Sequence, residues 1–542
     1  MDLGEQDTRR HDRMVFRDLL EDHAALQPDA LYASFPATGD QWTWAVADRK
    51  ANQAANAFAG IGVKQGDRVA VLSANSAELL QALFGATKLG AVYTPLNTGF
   101  RGAILRHVVD LAEPALLVCE AELLDRVLDL PENGPVHTVA VVGPPDPATL
   151  LRAEARFRVV DFHMLVERGA TSPPPPVALR FWDPYGVIFT SGTTGPSKGV
   201  LSSYSQLFSM VEHPMLAISN PDDVFLVDLP LFHVGALLTF ATTLYLGARI
   251  VVLPRVQING YWDRIREHGV THVTFLEQIA NWLWKQPARS DDADNPLRRV
   301  LIGRFPVGFD AWCDRFGVHE YYGYFNMTEI SSPLMTGLNP KNRLGTGRAR
   351  PGVQLRLVDE NDLEVEVGSP GELVIRTDRP WELNLGYLKM PELTAQAWRN
   401  GWFHTGDVFR RDADNWFYFL DRVKDSLRRN GENISSFEVE REIVDHDAIM
   451  ECAVVGVPGE DENDEVAAYV ILVPGATLPP EELIEFLRPR LPYFAIPRYV
   501  VRVDSLPRNT TQKVLKHELR STGLPDGAWD RVAHGIAVGR KL

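Results

Sequence analysis

Cysteine is nearly missing: Cys119, Cys313 and Cys452 are the only three in 542 residues. They are far apart, odd in number and without C-x-x-C spacing, which leaves neither a disulfide framework nor a zinc site and fits a reducing cytoplasm. Each reads as inert buried packing rather than a catalytic thiol. Basic charge is short as well. With 55 Lys and Arg against 71 Asp and Glu the net charge is −16, whereas a nucleic-acid binder shows a basic face; an anionic ligand must be held by local donors. The N-terminus, "MDLGEQDTRRHDRM", lacks an apolar h-region and reads as neither signal peptide nor anchor. The last three residues, Arg540-Lys541-Leu542, only loosely echo a peroxisomal tail. One uncharged stretch, Leu229 to Ala248, has about the length of a membrane span. Its Pro230, His233, two glycines and three threonines, and its mid-chain place, make it a buried helix behind a site, not a span. There is no internal repeat. At 45% hydrophobic and 23% charged the chain is an ordinary globular protein, too long for one core, so two or more domains are expected.

What is present begins with "FTSGTTGPSKGV", Phe189 to Val200. Glycines let backbone N–H groups converge without a Cβ in the way, hydroxyls add donors and Lys198 adds a point charge, so the natural guest is a phosphate chain. The loop is not that of a P-loop ATPase, which needs G-x-x-x-x-G-K-[ST]: here Pro196-Ser197 separates Gly195 from Lys198. The bland alternative is a plain Gly/Ser turn.

Strand-like runs alternate with helical patterns through the first two thirds: "RVAVLSA", then amphipathic "SAELLQALFGATKLG", then "AVYTPLN", and later "PALLVCE". Strands separated by helices imply parallel sheets covered on both faces. "TSPPPPVAL" makes a spacer before the strand "YGVIFT" that feeds the glycine-rich loop, and the expected order is strand, loop, helix. After "NWFYFLDRVKD" the composition changes. "SSFEVEREIVDHDAI" starts with a capping box, Ser435 with Glu438, and runs on as a helix. "ECAVVGV", "EVAAYVILV" and "RYVVRV" read as strands and "PPEELIEFLRPRL" as a helix. The expected class is therefore α/β: a large multi-subdomain N-terminal domain with parallel-rich sheets (1–421), a hinge (422–424) and a small mobile α+β domain (425–542). From about Leu524 the weak patterning suggests a loosely docked tail.

Four further stretches accompany the loop. "YFNMTE" offers Thr328 as a hydroxyl donor and Glu329 as a carboxylate able to hold Mg²⁺ on phosphates. "GWFHTGD" ends in Asp407, whose two oxygens suit a ribose diol. "DRVKDSLRRNGENIS" supplies Arg422 as a fork donor, and "LPRNTTQKVLKHELR" places Lys513 in a polar turn before a helix. Singly, each is equally a surface acid, a cap or a solvated base.

Together, "TSGTTGPSKG", "MTE", "GWFHTGD", "DRVKD", "GENISSFEVE" and "TQKVLK" resemble, in order, the motifs of the adenylate-forming superfamily of acyl-CoA synthetases, luciferases and peptide adenylation domains. The resemblance covers roughly residues 15 to 520, and "RRNGENISSFEVE" and "DDADNPLR" are closest in style to bacterial crotonobetaine/carnitine-CoA ligases. It implies that an acid attacks the α-phosphorus of MgATP. Thr190, Ser191, Gly192, Thr193, Thr194, Gly195 and Lys198 would hold the β and γ phosphates, Thr328 the α-phosphate and Glu329 the magnesium. Phe325 would lie against adenine and Asp407 and Arg422 on ribose, while Lys513 bridges acid and α-phosphate. The C-terminal domain would then turn about Lys424 to form the thioester site for CoA, and His233 would stand beside the acid carboxylate. Such a transfer needs alignment and electrostatic clamping more than acid–base chemistry, which suits these residue types.

Departures from the pattern fall where the acid should sit. The small residues ahead of adenine are replaced by "GRFP", with Arg304 and Phe305; the family glycine is Asn326; and "TFLEQIANWLWKQ" carries Glu277 and Gln278 where small or apolar residues are expected. Bulk and polarity there exclude a long fatty acyl chain. The structural alternative is that Arg304 merely pairs with Glu277. The expected activity is an acid–CoA ligase for a small, polar or aromatic acid. A second reading is an ATP-dependent diazotase that activates nitrite for attack by an aryl amine. A third, a non-catalytic nucleotide binder, should have lost Lys513, Glu329 or Asp407, all of which are present. A cytoplasmic monomer or homodimer without nucleic-acid partner or membrane span is expected.

Overall fold

The computed structural model describes residues 14–190, 197–212, 219–306, 308–422, 427–429, 432–459, 464–508 and 514–538, with the backbone alone for 212, 422, 428, 429, 432 and 433. Ser191, Gly192, Thr193, Thr194, Gly195, Lys424 and Lys513 lie outside the described residues, as does the Arg422 side chain.

The alternating strand and helix patterns become two large sheets. One runs in the spatial order Arg158–Asp161, Thr138–Val142, Leu116–Glu120, Arg68–Leu72, Val92–Pro95, Pro184–Thr190, Lys198–Ser203, parallel throughout except for the last pair. The other has nine strands. It is parallel from Glu320–Met327 through Arg299–Ile302, His272–Phe275, Val224–Val227 and Arg249–Val252 to Leu31–Phe35, and antiparallel at both edges.

One continuous apolar core joins side chains of both sheets with those of the helices Trp44–Gly60, Ala77–Lys88, Tyr204–Glu212 and Val234–Leu246. Helices wedged between sheets are buried nearly all round, which explains the uncharged run from Leu229 to Ala248. Val234–Leu246 is such a helix, closed by Gly247 at φ 72°. No helix among the described residues is long and apolar enough to cross a membrane. Close packing dictates Gly85: a Cβ there would stand 2.5 Å from the Ala54 Cβ. Lys88, at the end of the same helix, is fully buried and answered by Asp48 at 2.6 Å, Asn52 at 2.7 Å and Glu21 at 2.8 Å, as a buried ammonium must be.

A third, antiparallel sheet of Val353–Val358, Pro370–Thr377, Phe403–Arg411 and Phe417–Arg422 packs on Ile330 and Leu334 of the nine-stranded sheet. The C-terminal unit is a sheet of Ile449–Pro458, Asp464–Leu472, Tyr499–Arg502 and Trp529–Asp530. The helices Ser436–Val444 and Pro480–Leu487 cover one face and Lys516–Thr522 the other. The N-cap half of the expected capping box forms: Ser435 Oγ accepts from the Glu438 N–H at 3.1 Å. All three cysteines are buried, and burial pushes the Cys313 thiol up to about 12 and raises the Cys119 and Cys452 thiols well above the usual range, consistent with inert packing.

Two expectations fail. The glycine-rich loop does not lead into a helix: it closes a hairpin, Thr190 pairing with Lys198, and the helix waits until Tyr204. "KGVLSS" pairs along its whole length with Pro184–Thr190 and buries four of its six residues, which wins over helix continuation. The tail after Leu524 is not loosely docked either. Trp529–Asp530 adds a strand beside Tyr499–Arg502, Asp530 pairs with Arg498 at 3.2 Å, and the 3% exposed Arg531 donates to the Pro497 and Ile536 carbonyls. Polar pairings, invisible to hydrophobic periodicity, hold it together with the scattered apolar side chains of Trp529, Ile536 and Val538 that pack on the C-terminal core.

Candidate functional site

The phosphate-loop hairpin is pinned from one side by the segment Leu383 to Leu388. Leu388 N–H donates to the Gly199 carbonyl at 2.7 Å, Leu385 N–H to Leu201 at 2.9 Å, and Leu201 N–H to Gly386 at 3.0 Å. A Cβ at Gly199 would be tight against the paired strand, 3.0 Å from Val187 and 3.2 Å from Phe189. On the other side His107 Nε2 lies 2.9 Å from the Ser197 carbonyl.

Tyr387 is the hub. The Lys198 ammonium stands 4.8 Å from its ring centroid, and its hydroxyl donates to Glu329 Oε1 at 3.2 Å. Burial and the Glu329 carboxylate drive the Tyr387 hydroxyl pKa up, so it keeps its proton and serves as a donor. The Thr328-Glu329 turn, both residues 8% exposed, is fixed by its backbone. Gln206 Nε2 donates to the Thr328 carbonyl at 3.0 Å; the Asn384 amide and backbone N–H donate to the Glu329 carbonyl at 2.8 Å and 3.1 Å. The lysine of the loop and the carboxylate of "MTE" thus share one tyrosine. Sequence reasoning missed Tyr387, Gln206 and Asn384. Their only signal was a polar residue in an otherwise apolar helix or loop.

Glu329 offers hard oxygen chemistry from a single carboxylate, which fits magnesium held chiefly by phosphate and water. Among the described residues no cluster of three or more His, Cys, Asp or Glu side chains is placed to hold a metal by itself.

Asp407 and Arg422 are direct neighbours across the antiparallel pair Phe403–Arg411 and Phe417–Arg422, so the two residues expected on ribose are brought together. Asp407 is 3% exposed. Phe325, on the nine-stranded sheet, meets Phe409 of the strand that carries Asp407 edge-on at 5.0 Å.

On the acid side, His233 is the half-buried N-cap residue of the helix Val234–Leu246 and its carbonyl accepts from Ala236 and Leu237. The strand end before it is tied down by Asn75, which donates to the Leu229 and Leu253 carbonyls and accepts from Leu231 N–H. Asp228, just ahead, is 4% exposed, and burial lifts its carboxyl to about 7. Its Oδ2 finds no hydrogen-bond partner among the described residues.

Glu277 opens the helix Glu277–Trp284, and Arg304 follows the strand Arg299–Ile302. They do pair, at 3.5 Å, with side chains 24% and 27% exposed. Burial raises the Glu277 carboxyl pKa while Arg304 and Arg441 pull it back. Phe305 does not stand open. It packs into an aromatic cluster with Phe309 at 5.1 Å and Tyr321 at 5.7 Å, against Gly323. The Asn326 amide faces the Met210 sulfur at 3.5 Å, and its enclosed Oδ1 has no partner among the described residues. Asn326 and Met210 together occupy space that a glycine would leave.

Comparison with known proteins adds the following. The AMP-binding enzyme family matches residues 20–388, and the AMP-binding enzyme C-terminal domain matches residues 438–513. A crotonobetaine/carnitine-CoA ligase of Salmonella arizonae is 28% identical over 523 residues, covering 94% of this chain and 99% of its own. One from Proteus mirabilis is 28% identical over 532 residues, with the same coverage of 94% and 99%. Among solved structures, ATP-bound MatB from Rhodopseudomonas palustris superimposes with a TM-score of 0.77 at 27% identity over 93% of this chain and 98% of its own. The anthranilate CoA ligase AuaEII in complex with anthranoyl-AMP has a TM-score of 0.83 at 22% identity, over 94% and 97% of the two chains, and shares the fold.

Proposed function

The chain belongs to the family of AMP-binding enzymes, and from that premise we propose that it is an AMP-forming acid–CoA ligase for a small, polar or aromatic acid. A carboxylate oxygen of the acid attacks the α-phosphorus of ATP and pyrophosphate leaves. The CoA thiolate then attacks the acyl carbonyl, and AMP leaves with the bonding pair. The observation that carries the reading is Tyr387, whose ring and hydroxyl join Lys198 of the glycine-rich loop to Glu329.

In this reading Thr190, Ser191, Gly192, Thr193, Thr194, Gly195 and Lys198 hold the outer phosphates. Their donors must do the work of a helix dipole, because the loop tops a hairpin. Thr328 faces the α-phosphate, Asp407 and Arg422 take the ribose, and Phe325 lines the adenine side. Glu329 supplies the carboxylate for magnesium, whose charge would offset that building on the leaving pyrophosphate. Lys513 bridges the two reacting groups, and the unit from residue 425 acts as a lid hinged at Lys424. His233, Glu277, Arg304, Phe305 and Asn326 shape the acid's side. The Arg304–Glu277 pair and the Asn326–Met210 contact support a short polar acid over a long chain, in keeping with the crotonobetaine/carnitine-CoA ligases among the relatives.

The test is ATP-dependent pyrophosphate release over a panel of short, aromatic and carnitine-like acids plus nitrite, each with and without CoA and an aryl amine. CoA-dependent turnover of one carboxylic acid is the expected result. Release with nitrite that rises on adding the amine and ignores CoA would replace the ligase by a diazotase.

A further inference from the structure

Arg304 belongs to two parts of the molecule at once. One guanidinium nitrogen lies 3.5 Å from Glu277 Oε2, at the head of the helix Glu277–Trp284. The guanidinium carbon lies 3.0 Å from the ring centroid of Phe437, in the first turn of Ser436–Val444. That second helix is part of the C-terminal unit. Its Arg441, four residues beyond Phe437, adds to the field that holds down the Glu277 carboxyl.

The far end of the Glu277 helix touches the same unit again. Lys285, just past its end, donates to the Ile449 carbonyl, and the Trp282 ring faces the Arg508 guanidinium at 6.0 Å. Arg508 is itself paired with Glu451. One helix and one arginine therefore run from the acid side of the site to the C-terminal unit, through contacts that are polar or cation–π, with one edge-on ring contact of Phe437 on Phe419 at 5.3 Å beside them. Units joined by a short connection and such an interface are expected to move relative to one another.

A half-buried guanidinium stacked on an aromatic ring shifts a two-state population by about tenfold. We propose that Arg304 is a positioning residue, clamped between Glu277 and Phe437, which ties the state of the acid pocket to the orientation of the C-terminal unit. An acid that engages Glu277 or Arg304 changes how firmly Phe437 is held; withdrawal of Phe437 frees the guanidinium for the pocket. The inference rests on the ligase reading, in which two successive steps share one acid site. Arg304 thereby sets how the enzyme divides its time between them.

The experiment measures the two steps separately in the full chain: acid-dependent pyrophosphate release in a single turnover without CoA, and CoA-dependent decay of preformed acyl-AMP. Arg304→Ala and Phe437→Ala should each change the ratio of the two rates by about fivefold to tenfold, in the same direction. The double variant should go no further than the larger single, because both remove one contact. Arg304→Lys, which keeps the charge for Glu277 and loses the planar stack, should fall between. Equal slowing of both steps, opposite effects of the two variants, or strict additivity would overturn the proposal.

A second readout needs no substrate. With Cys119, Cys313 and Cys452 buried, introduced surface cysteines on the two units will carry a fluorescence-transfer pair. Arg304→Ala should broaden or shift the inter-unit distance, and an unchanged distribution would also overturn the proposal. If the unmodified enzyme makes no acyl-AMP from any acid, the ligase reading fails, and the fluorescence measurement still decides the role of Arg304.

Discussion

The nucleotide side and the acid side of this site differ in how far their polar groups are answered. On the nucleotide side, polar groups are few and close: Tyr387 donates to Glu329, Asn384 and Gln206 hold the neighbouring carbonyls, and the loop hairpin is hydrogen-bonded to its neighbour, with the Gln206 Oε1 the one oxygen of these three side chains lacking a partner among the described residues. On the acid side, Asn326 and Asp228 each keep a buried oxygen without a partner among the described residues, and the Arg304–Glu277 pair is half open. An unsatisfied buried polar atom costs about 1–3 kcal/mol. The acid side thus stores the larger share of a cost that a ligand with matching donors can relieve, whereas the nucleotide side is the more fully preorganised.

The sharpest test of that contrast is Lys513→Ala. It should slow acyl-AMP formation by about 10²–10³-fold while ATP binding by calorimetry changes little; full adenylation activity would remove Lys513 from the mechanism. Tyr387→Phe keeps the ring for Lys198 and deletes only the bond to Glu329. We expect about a tenfold loss in pyrophosphate release with a raised magnesium requirement, and an unchanged metal titration would break the claim that this side acts as one unit. Asn326→Gly should open the acid side: kcat/KM for acids longer by one or two methylenes should rise several-fold, by about 1 kcal/mol of relative preference, with the KM for ATP unaltered. If ATP binding moves instead, the two sides are not separate.

The smallest effect on catalysis is expected from Asp228→Asn, which addresses stability. The folded carboxyl is raised from 3.8 to about 7 by burial, so its neutral form is favoured by folding. That contribution is complete below about pH 4 and is lost as pH rises through about 7. The amide of the variant cannot ionise. The thermal transitions of variant and parent should therefore agree near pH 4, while at pH 8 the variant should melt higher by several degrees. Coincident melting curves at both pH values would show that the site admits water.

The contrast also explains what was legible in the sequence. Residues proposed to meet phosphate, ribose and metal stand in fixed local patterns, and "MTE" and "GWFHTGD" pointed to Thr328, Glu329 and Asp407 for those roles. The alternation of strands and helices likewise gave the parallel sheets. The hairpin after the loop was missed because the short run "KGVLSS" precedes a strong helical pattern. Tyr387, Gln206 and Asn384 were missed because they act on the backbone or side chain of other residues and carry no charge to betray them. Arg304 was noticed for its bulk and its reach to Glu277, but its contact with Phe437 joins residues far apart in the chain, and no local pattern encodes that.

The short strand Trp529–Asp530 has one more consequence. Without it, Tyr499–Arg502 would be the last strand of the C-terminal sheet and its outer row of N–H and C=O groups would be open to pairing with another chain. The tail acts as a guard against edge-to-edge self-association. A chain trimmed at Leu524 would keep every residue assigned to catalysis and still become prone to aggregate.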